Sequence, residues 1–310
     1  MNSFIWAIPA AVLSAGLLWK GSEWVVDAAV RIANRFNMSD MAIGLTIVAI
    51  GTSAPEFAVT INAAVQGLPD ISVSNVVGSN IFNLGFILGG CAAIRPIATT
   101  PTIVWRDGIF LLAVSCLLGL FLVDLTLSPG EGVILFSTLV AYITYLFFNK
   151  ADAPKPTEER AANWKDIPLL VVGLASVVGG GHLLVWSASC LARGLGLSEW
   201  VIGVTIVAAG TSAPEFATSL MAAVKGRHAL SIGNLIGSDL YNLLGVLGLA
   251  GMLGPLSIDP AGLTSLWLLV GVVMLVVFFM FTGFRVSRAE GFILIGINLI
   301  RWILDFSAKV

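Results

Sequence analysis

Charge is what this sequence has least of. Only 11% of its 310 residues are Asp, Glu, Lys or Arg, where a soluble domain carries roughly a quarter. With 57% hydrophobic residues and a mean hydropathy of +0.97, the composition excludes an ordinary soluble globular protein, and no nucleic-acid partner is expected. Histidine occurs twice and cysteine three times. Cys91, Cys116 and Cys190 stand in apolar runs without metal-ligand spacing or a paired external position, so they read as small buried apolar residues. Strict alternation of apolar and polar residues is also missing, which excludes a transmembrane β-barrel. The N-terminus "MNSFIWAIPA" has no basic region and no clear cleavage site, so it reads as the start of a retained helix rather than a signal peptide.

What fills the chain is a series of apolar stretches, each long enough to cross a hydrocarbon core of about 30 Å as a helix. Ten are expected, at roughly 4–33, 40–66, 71–94, 102–123, 130–149, 166–192, 198–225, 230–252, 264–283 and 287–306. The expected fold class is all-α, a polytopic membrane protein of ten transmembrane helices. With the N-terminus outside, Arg31, Arg35, Arg95, Arg106, Lys150, Lys155, Arg160, Lys165, Lys225, Arg227, Arg285 and Arg288 fall at cytoplasmic ends. Arg193, Arg301 and Lys309 fall outside, and Lys20 lies within the first span. Cytoplasmic loops carry the excess of Lys and Arg, so both termini are expected to be extracellular, in a cell membrane. Trp6, Trp105, Trp200 and Trp302 stand near span ends, where aromatic residues anchor helices at the interface.

The chain is internally duplicated. Residues 43–90 and 202–249, aligned at a constant shift of 159, share 26 identities in 48 positions without a gap. "IGLTIVAIGTSAPEFA" matches "IGVTIVAAGTSAPEFA", and "NVVGSNIFNL" matches "NLIGSDLYNL". The expected organisation is a first five-helix repeat at 1–150, a charged, Pro-containing cytoplasmic linker at 151–165 and a second five-helix repeat at 166–310. The second copy begins five spans after the first, and an odd number of crossings inverts it in the membrane. Inverted repeats are a signature of secondary transporters, whose substrate site lies near the midplane between the copies.

Each repeat carries "GTSAPEF", at 51–57 and 210–216. Pro55 and Pro214 lack an amide hydrogen, so each helix is expected to open around Gly51 or Gly210 and free backbone carbonyls, with the glycines allowing unusual torsions. Broken helices survive in lipid only where they are buried in protein or line a polar cavity. Beside the breaks, Glu56 and Glu215 lie deep in apolar spans, where an ionisable group costs at least about 2.5 kcal/mol. No Lys or Arg lies at that depth in either repeat core, although Lys20 could approach. The expected compensation is a bound cation or a proton. Ser79 and Asn83 lie four apart on one helical face, as do Ser238 and Asn242. With Thr52, Thr211, Ser53 and Ser212 they complete an oxygen-only inventory, a poor fit for zinc or copper. It suits calcium, which takes 6–8 oxygens including carboxylates, and equally sodium. One site could hold either ion in competition.

These paired motifs, "GTSAPE" with "GSNIFN" and "GTSAPE" with "GSDLYN", resemble the α-repeats of the sodium/calcium exchanger family within the cation/calcium exchanger superfamily. The resemblance covers essentially the whole chain. It implies a ten-helix fold whose second, third, seventh and eighth helices form the ion-binding core, across which the first and sixth slide. It also implies that Glu56 and Glu215 ligate calcium and sodium. Ala49, Thr52, Ser53 and Ser79 would supply carbonyl and hydroxyl ligands, mirrored by Ala208, Thr211, Ser212 and Ser238, and Asn83 an amide. Asn242 departs from relatives that have Asp there and leans against potassium co-transport. Asp239, beside Ser238 and paired by the repeat with Asn80, is either an additional ligand or a polar residue at the cavity edge. His182, aligned with Glu23, reads as a hydrogen-bonded helix contact.

The expected function is sodium/calcium antiport by alternating access, normally extruding calcium, with Na+ and Ca2+ as substrates. The alternative is a proton/calcium antiporter using the same two glutamates. A channel fits two inverted broken helices poorly, and a hydrolase built on Ser53 or Ser212 would need a repeated base. No enzymatic activity, cofactor or obligatory protein partner is expected.

Overall fold

Every span expected from hydropathy has a helical counterpart in the computed structural model, which describes residues 2–36, 38–148, 164–194 and 208–307. The first repeat comprises α1 (Asn2–Arg35), the bent pair α2 (Asp40–Thr52) and α3 (Ala54–Val65), then α4 (Pro69–Ile94), α5 (Ile103–Asp124) and α6 (Pro129–Phe148). The second comprises α7 (Asp166–Gly194), α8 (Ala208–Thr211) with α9 (Ala213–Val224), α10 (His228–Leu253), α11 (Gly262–Phe284) and α12 (Arg288–Ser307). Each broken pair counts as one crossing, which makes a ten-helix polytopic membrane protein. The linker lies outside the described residues except for Trp164 and Lys165, as do Trp200 and the beginning of the seventh span.

The inversion can be read from two short antiparallel pairings. Strand β1 (Ile97–Ala98) precedes α5 and β2 (Thr126–Leu127) follows it; β3 (Leu256–Ser257) precedes α11 and β4 (Arg285–Val286) follows it. β1 pairs with β4 and β2 with β3. The two pairs sit at opposite ends of α5, whose 22 residues span about 33 Å. Yet β1 and β3 are repeat equivalents, 159 positions apart, so equivalent elements lie on opposite faces. The face of β1 and β4 gathers basic residues: Arg95 donates to the Val224 carbonyl (2.6 Å) and Arg288 to that of Ile94 (3.3 Å). On the other face the Asp259 amide donates to the Asp70 carboxylate at 2.7 Å.

Small residues let the helices approach where a hydrophobic drive between them is lacking in lipid. α1 and α7 pack on each other, with Gly21 against Gly173 and Ser176, and Gly180 against Leu17 and Leu18. Gly237 of α10 lies so close to α2 that a Cβ there would stand 2.6 Å from the Leu45 Cα. The Gly89–Gly291 contact between α4 and α12 is repeated by Gly248–Gly132 between α10 and α6. α10 is consequently closely enclosed, with every residue from Leu230 to Leu240 buried.

Trp6 and Trp105 are exposed, as interfacial anchors are, and Trp302, half-buried near the end of α12, also packs its ring on Phe86 at 4.9 Å. One expectation is corrected: His182 is exposed on α7 rather than enclosed in a helix contact.

Candidate cation site

The break falls at Ser53, whose φ of −79° and ψ of 12° separate α2 from α3 with a bend of 54°. Ser212 breaks the second repeat in the same way, at φ −88° and ψ 9°. Pro55 sits in the first turn of α3, where its missing N–H sacrifices no bond of that helix, but it cannot donate to the Gly51 carbonyl. Gly51 and Gly210 are not the points of unusual torsion: both are helical. Their role is close packing under α7, since a Cβ at Gly51 would meet the Leu174 side chain at 2.7 Å and one at Gly210 would collide with Val185.

The break places Glu56 and Glu215 in the first turns of α3 and α9, where the positive end of the helix dipole favours an acidic side chain. Both are buried, at 1% and 0% exposure. Each is held by the serine of the other repeat: Ser53 Oγ donates to Glu215 Oε1 at 2.8 Å, and Ser212 Oγ to Glu56 Oε1 at 3.0 Å. The second oxygen of each, Oε2, has no hydrogen-bond partner. Lys20 does not compensate them; it pairs with Glu23 at 2.6 Å and is 55% exposed.

The crossing of α4 and α10 brings four more polar side chains together, all buried. Both helices loosen here into π-helical turns, Asn83–Leu88 and Tyr241–Val246, a distortion frequent at functional sites. Asn83 Nδ2 donates to Asp239 Oδ1 at 3.0 Å, and Asn242 Nδ2 to Asn80 Oδ1 at 3.1 Å. Asn83 Oδ1, Asn242 Oδ1 and Asp239 Oδ2 are left without partners. Ser79 Oγ donates to the Val76 carbonyl and lies 3.5 Å from Asn242 Nδ2. Ser238 Oγ lies 3.5 Å from Thr52 Oγ1. The Ala49 carbonyl accepts from the Ser53 amide at 3.0 Å and from Thr52 Oγ1 at 3.3 Å. Thr211 ends α8 half-buried, and Ala208 begins that helix with its side chain outside the described set.

Asn75 and Asn234 belong to the same construction and carried no role in the sequence reading. Asn75 Nδ2 donates to Thr60 Oγ1 at 2.9 Å and to the Glu56 carbonyl at 3.3 Å. Asn234 Nδ2 donates to Ser219 Oγ at 2.9 Å, and its Oδ1 lies 3.3 Å from Thr52 Oγ1. Both pin a ligand-bearing half-helix to its neighbour. The available signal was their repetition at the 159-residue shift, together with that of Ser72 and Ser231, which donate to the Thr60 and Ser219 carbonyls.

At this crossing the partnerless oxygens of Glu56, Glu215, Asn83 and Asn242, with Asp239 Oδ2 beside them, suit ligation of a hard cation. Among the described residues no three His, Cys, Asp or Glu side chains form a metal-holding group. Amide, hydroxyl and carbonyl oxygens must therefore complete any shell.

The family described as sodium/calcium exchanger protein matches residues 6–148 and 165–300. CaxA of Alkalimonas amylolytica is 37% identical over 293 residues, covering 90% of this chain and 92% of its own. The sodium/calcium exchanger MaX1 of Methanosarcina acetivorans is 32% identical over 331 residues, covering 91% and 94%. The solved structure of the sodium-calcium exchanger NCX_Mj, soaked with zero Na+ and Ca2+, superimposes with a TM-score of 0.86 at 30% identity, covering 96% of this chain and 97% of that one.

Proposed function

The chain belongs to the sodium/calcium exchanger protein family, and from that premise we propose that it exchanges Na+ for Ca2+ across a cell membrane by alternating access. The observation that carries this reading is the reciprocal glutamate pair, in which each carboxylate is oriented by the other repeat's serine and keeps one buried oxygen free. Two carboxylates balance the charge of one calcium ion. The same oxygens, with the hydroxyls of Thr52 and Ser238, offer sodium the mixed shell it prefers. Because both ions draw on Glu56 and Glu215, they compete, and competition at one site is the requirement for obligatory exchange.

Each ion biases the equilibrium between inward-open and outward-open forms only through its differential binding to the two. α1 and α7 are the moving pair in this proposal. They are joined by a seam of small residues, and α7 lies over both breaks, with Leu174 at Gly51 and Val185 at Gly210. A shift of α7 along the core would change the cover over the site. The basic residues at the β1/β4 face support a cytoplasmic assignment for that face; in this reading both termini are extracellular and calcium extrusion is the normal direction.

Calcium-45 uptake into proteoliposomes preloaded with sodium tests the reading. Uptake should require internal sodium and fail with potassium or choline. Uptake that ignores sodium and follows a pH gradient would replace it with proton/calcium antiport.

A further inference from the structure

An amide side chain serves a hard cation only through its oxygen. Rotated by half a turn, it presents two N–H donors instead and repels the ion. Asn83 and Asn242 can therefore act as ligands only if something fixes which end faces the site, and the sequence of neither residue decides that.

We propose that Asp239 is a positioning residue that sets both amides, a role that rests on the cation-binding reading of the site. Its carboxylate Oδ1 accepts from Asn83 Nδ2 at 3.0 Å. Its backbone carbonyl accepts from Asn80 Nδ2 at 3.1 Å, which leaves Asn80 Oδ1 to accept from Asn242 Nδ2 at 3.1 Å. A carbonyl oxygen can only accept, so the order along this chain is fixed: Asp239 orients Asn80, and Asn80 orients Asn242. At the ends of the two branches stand Asn83 Oδ1 and Asn242 Oδ1, both buried and both without a partner. All four side chains are buried, at 0–1% exposure, so water does not compete for these bonds.

The repeat supplies an internal control. Asn80 occupies in the first copy the place of Asp239 in the second, and it accepts from the opposite amide without a formal charge. What the position requires is an acceptor, and the negative charge of Asp239 is not the essential property. A carboxylate accepts through either oxygen whichever way it is turned, so Asp239 holds Asn83 without needing a second bond to set its own orientation.

The test uses full-length protein in detergent and in proteoliposomes, with calcium as the probe. Calcium titrations and the calcium KM of sodium-driven uptake are read for each variant, and monodispersity is checked by size exclusion. Asp239→Asn keeps an acceptor, so its calcium affinity should fall by no more than about threefold, whereas Asp239→Leu should weaken it by about tenfold or more, the loss of one hydrogen bond. Maximal rate should change less than KM in both. Adding Asn83→Asp to Asp239→Leu should recover the affinity, because a carboxylate at 83 has no wrong end to present. Equal losses in Asp239→Asn and Asp239→Leu, or no recovery in the double variant, would overturn the proposal and make the Asp239 charge itself the ligand. A wild-type protein that binds neither calcium nor sodium would instead overturn the functional reading.

Discussion

Glu56 and Glu215 each depend on a side chain more than 150 positions away, because the serine that orients one glutamate belongs to the other repeat. Neutralising one glutamate therefore alters both halves: it takes away a charge and gives the opposing serine an amide oxygen in place of a carboxylate acceptor. Glu56→Gln or Glu215→Gln is expected to abolish sodium-driven calcium uptake while the protein remains monodisperse and thermally stable. A buried glutamine is less costly to desolvate than an unpaired carboxylate, so stability should hold or rise by about 1 kcal/mol. Normal uptake by both variants would remove the proposed site. Glu56 and Glu215 were legible from letters alone, since an acid repeated inside two apolar spans has few explanations. Asn75, Asn80 and Asn234 were not, because an Asn that orients a neighbour and an Asn that caps a turn look the same in sequence.

At the scale of elements, the seams between helices are set by glycines that touch backbone. A Cβ at Gly291 would lie 2.6 Å from the Gly89 carbonyl oxygen, whereas one at Gly296 on the same helix meets nothing within 4 Å among the described residues. Gly291→Ala should push α12 away from α4 and lower stability by about 1–3 kcal/mol, the usual cost of overpacking. Gly296→Ala should be neutral or raise stability by up to about 1 kcal/mol through helix propensity. Thermal unfolding in detergent, followed by tryptophan fluorescence, distinguishes the two. The helix breaks show how far local rules reach. Pro55 and Pro214 announce them, but the serine just before each Ala-Pro pair absorbs the change in torsion, while Gly51 and Gly210 remain helical beneath α7.

At the scale of the whole molecule, the pseudo-two-fold relation makes equivalent turns face opposite sides. Gln66 and Lys225 end the two broken spans at matching positions, with Gln66 on the β2/β3 side and Lys225 on the basic side. A membrane-impermeant maleimide should label Gln66→Cys from outside intact cells and Lys225→Cys only after permeabilisation, in a background lacking Cys91, Cys116 and Cys190. Labelling of both from one side would refute the inverted arrangement. The symmetry is also broken by charge: Lys225 pairs with Asp27 of α1 at 2.6 Å, while uncharged Gln66 and Trp186 occupy the mirror-related places. One end of α1 is thus tied to the core in a way that its counterpart on α7 is not.

Hydropathy, the 159-residue repeat and an odd number of crossings determined by themselves that this chain crosses the membrane ten times, that its halves are inverted and that two glutamates face a shared problem of burial. Those properties follow from local transfer energies and from counting, which need no knowledge of distant contacts. Tertiary structure alone decided that the serines serve the opposite glutamates, that Asp239 reaches Asn83 and Asn80, and that Gly51 and Gly210 seat α7. All of these but the Gly210–Val185 contact join segments more than a hundred residues apart. Their existence depends on how closely the helices pack, a quantity that hydrophobic pattern and spacing do not contain.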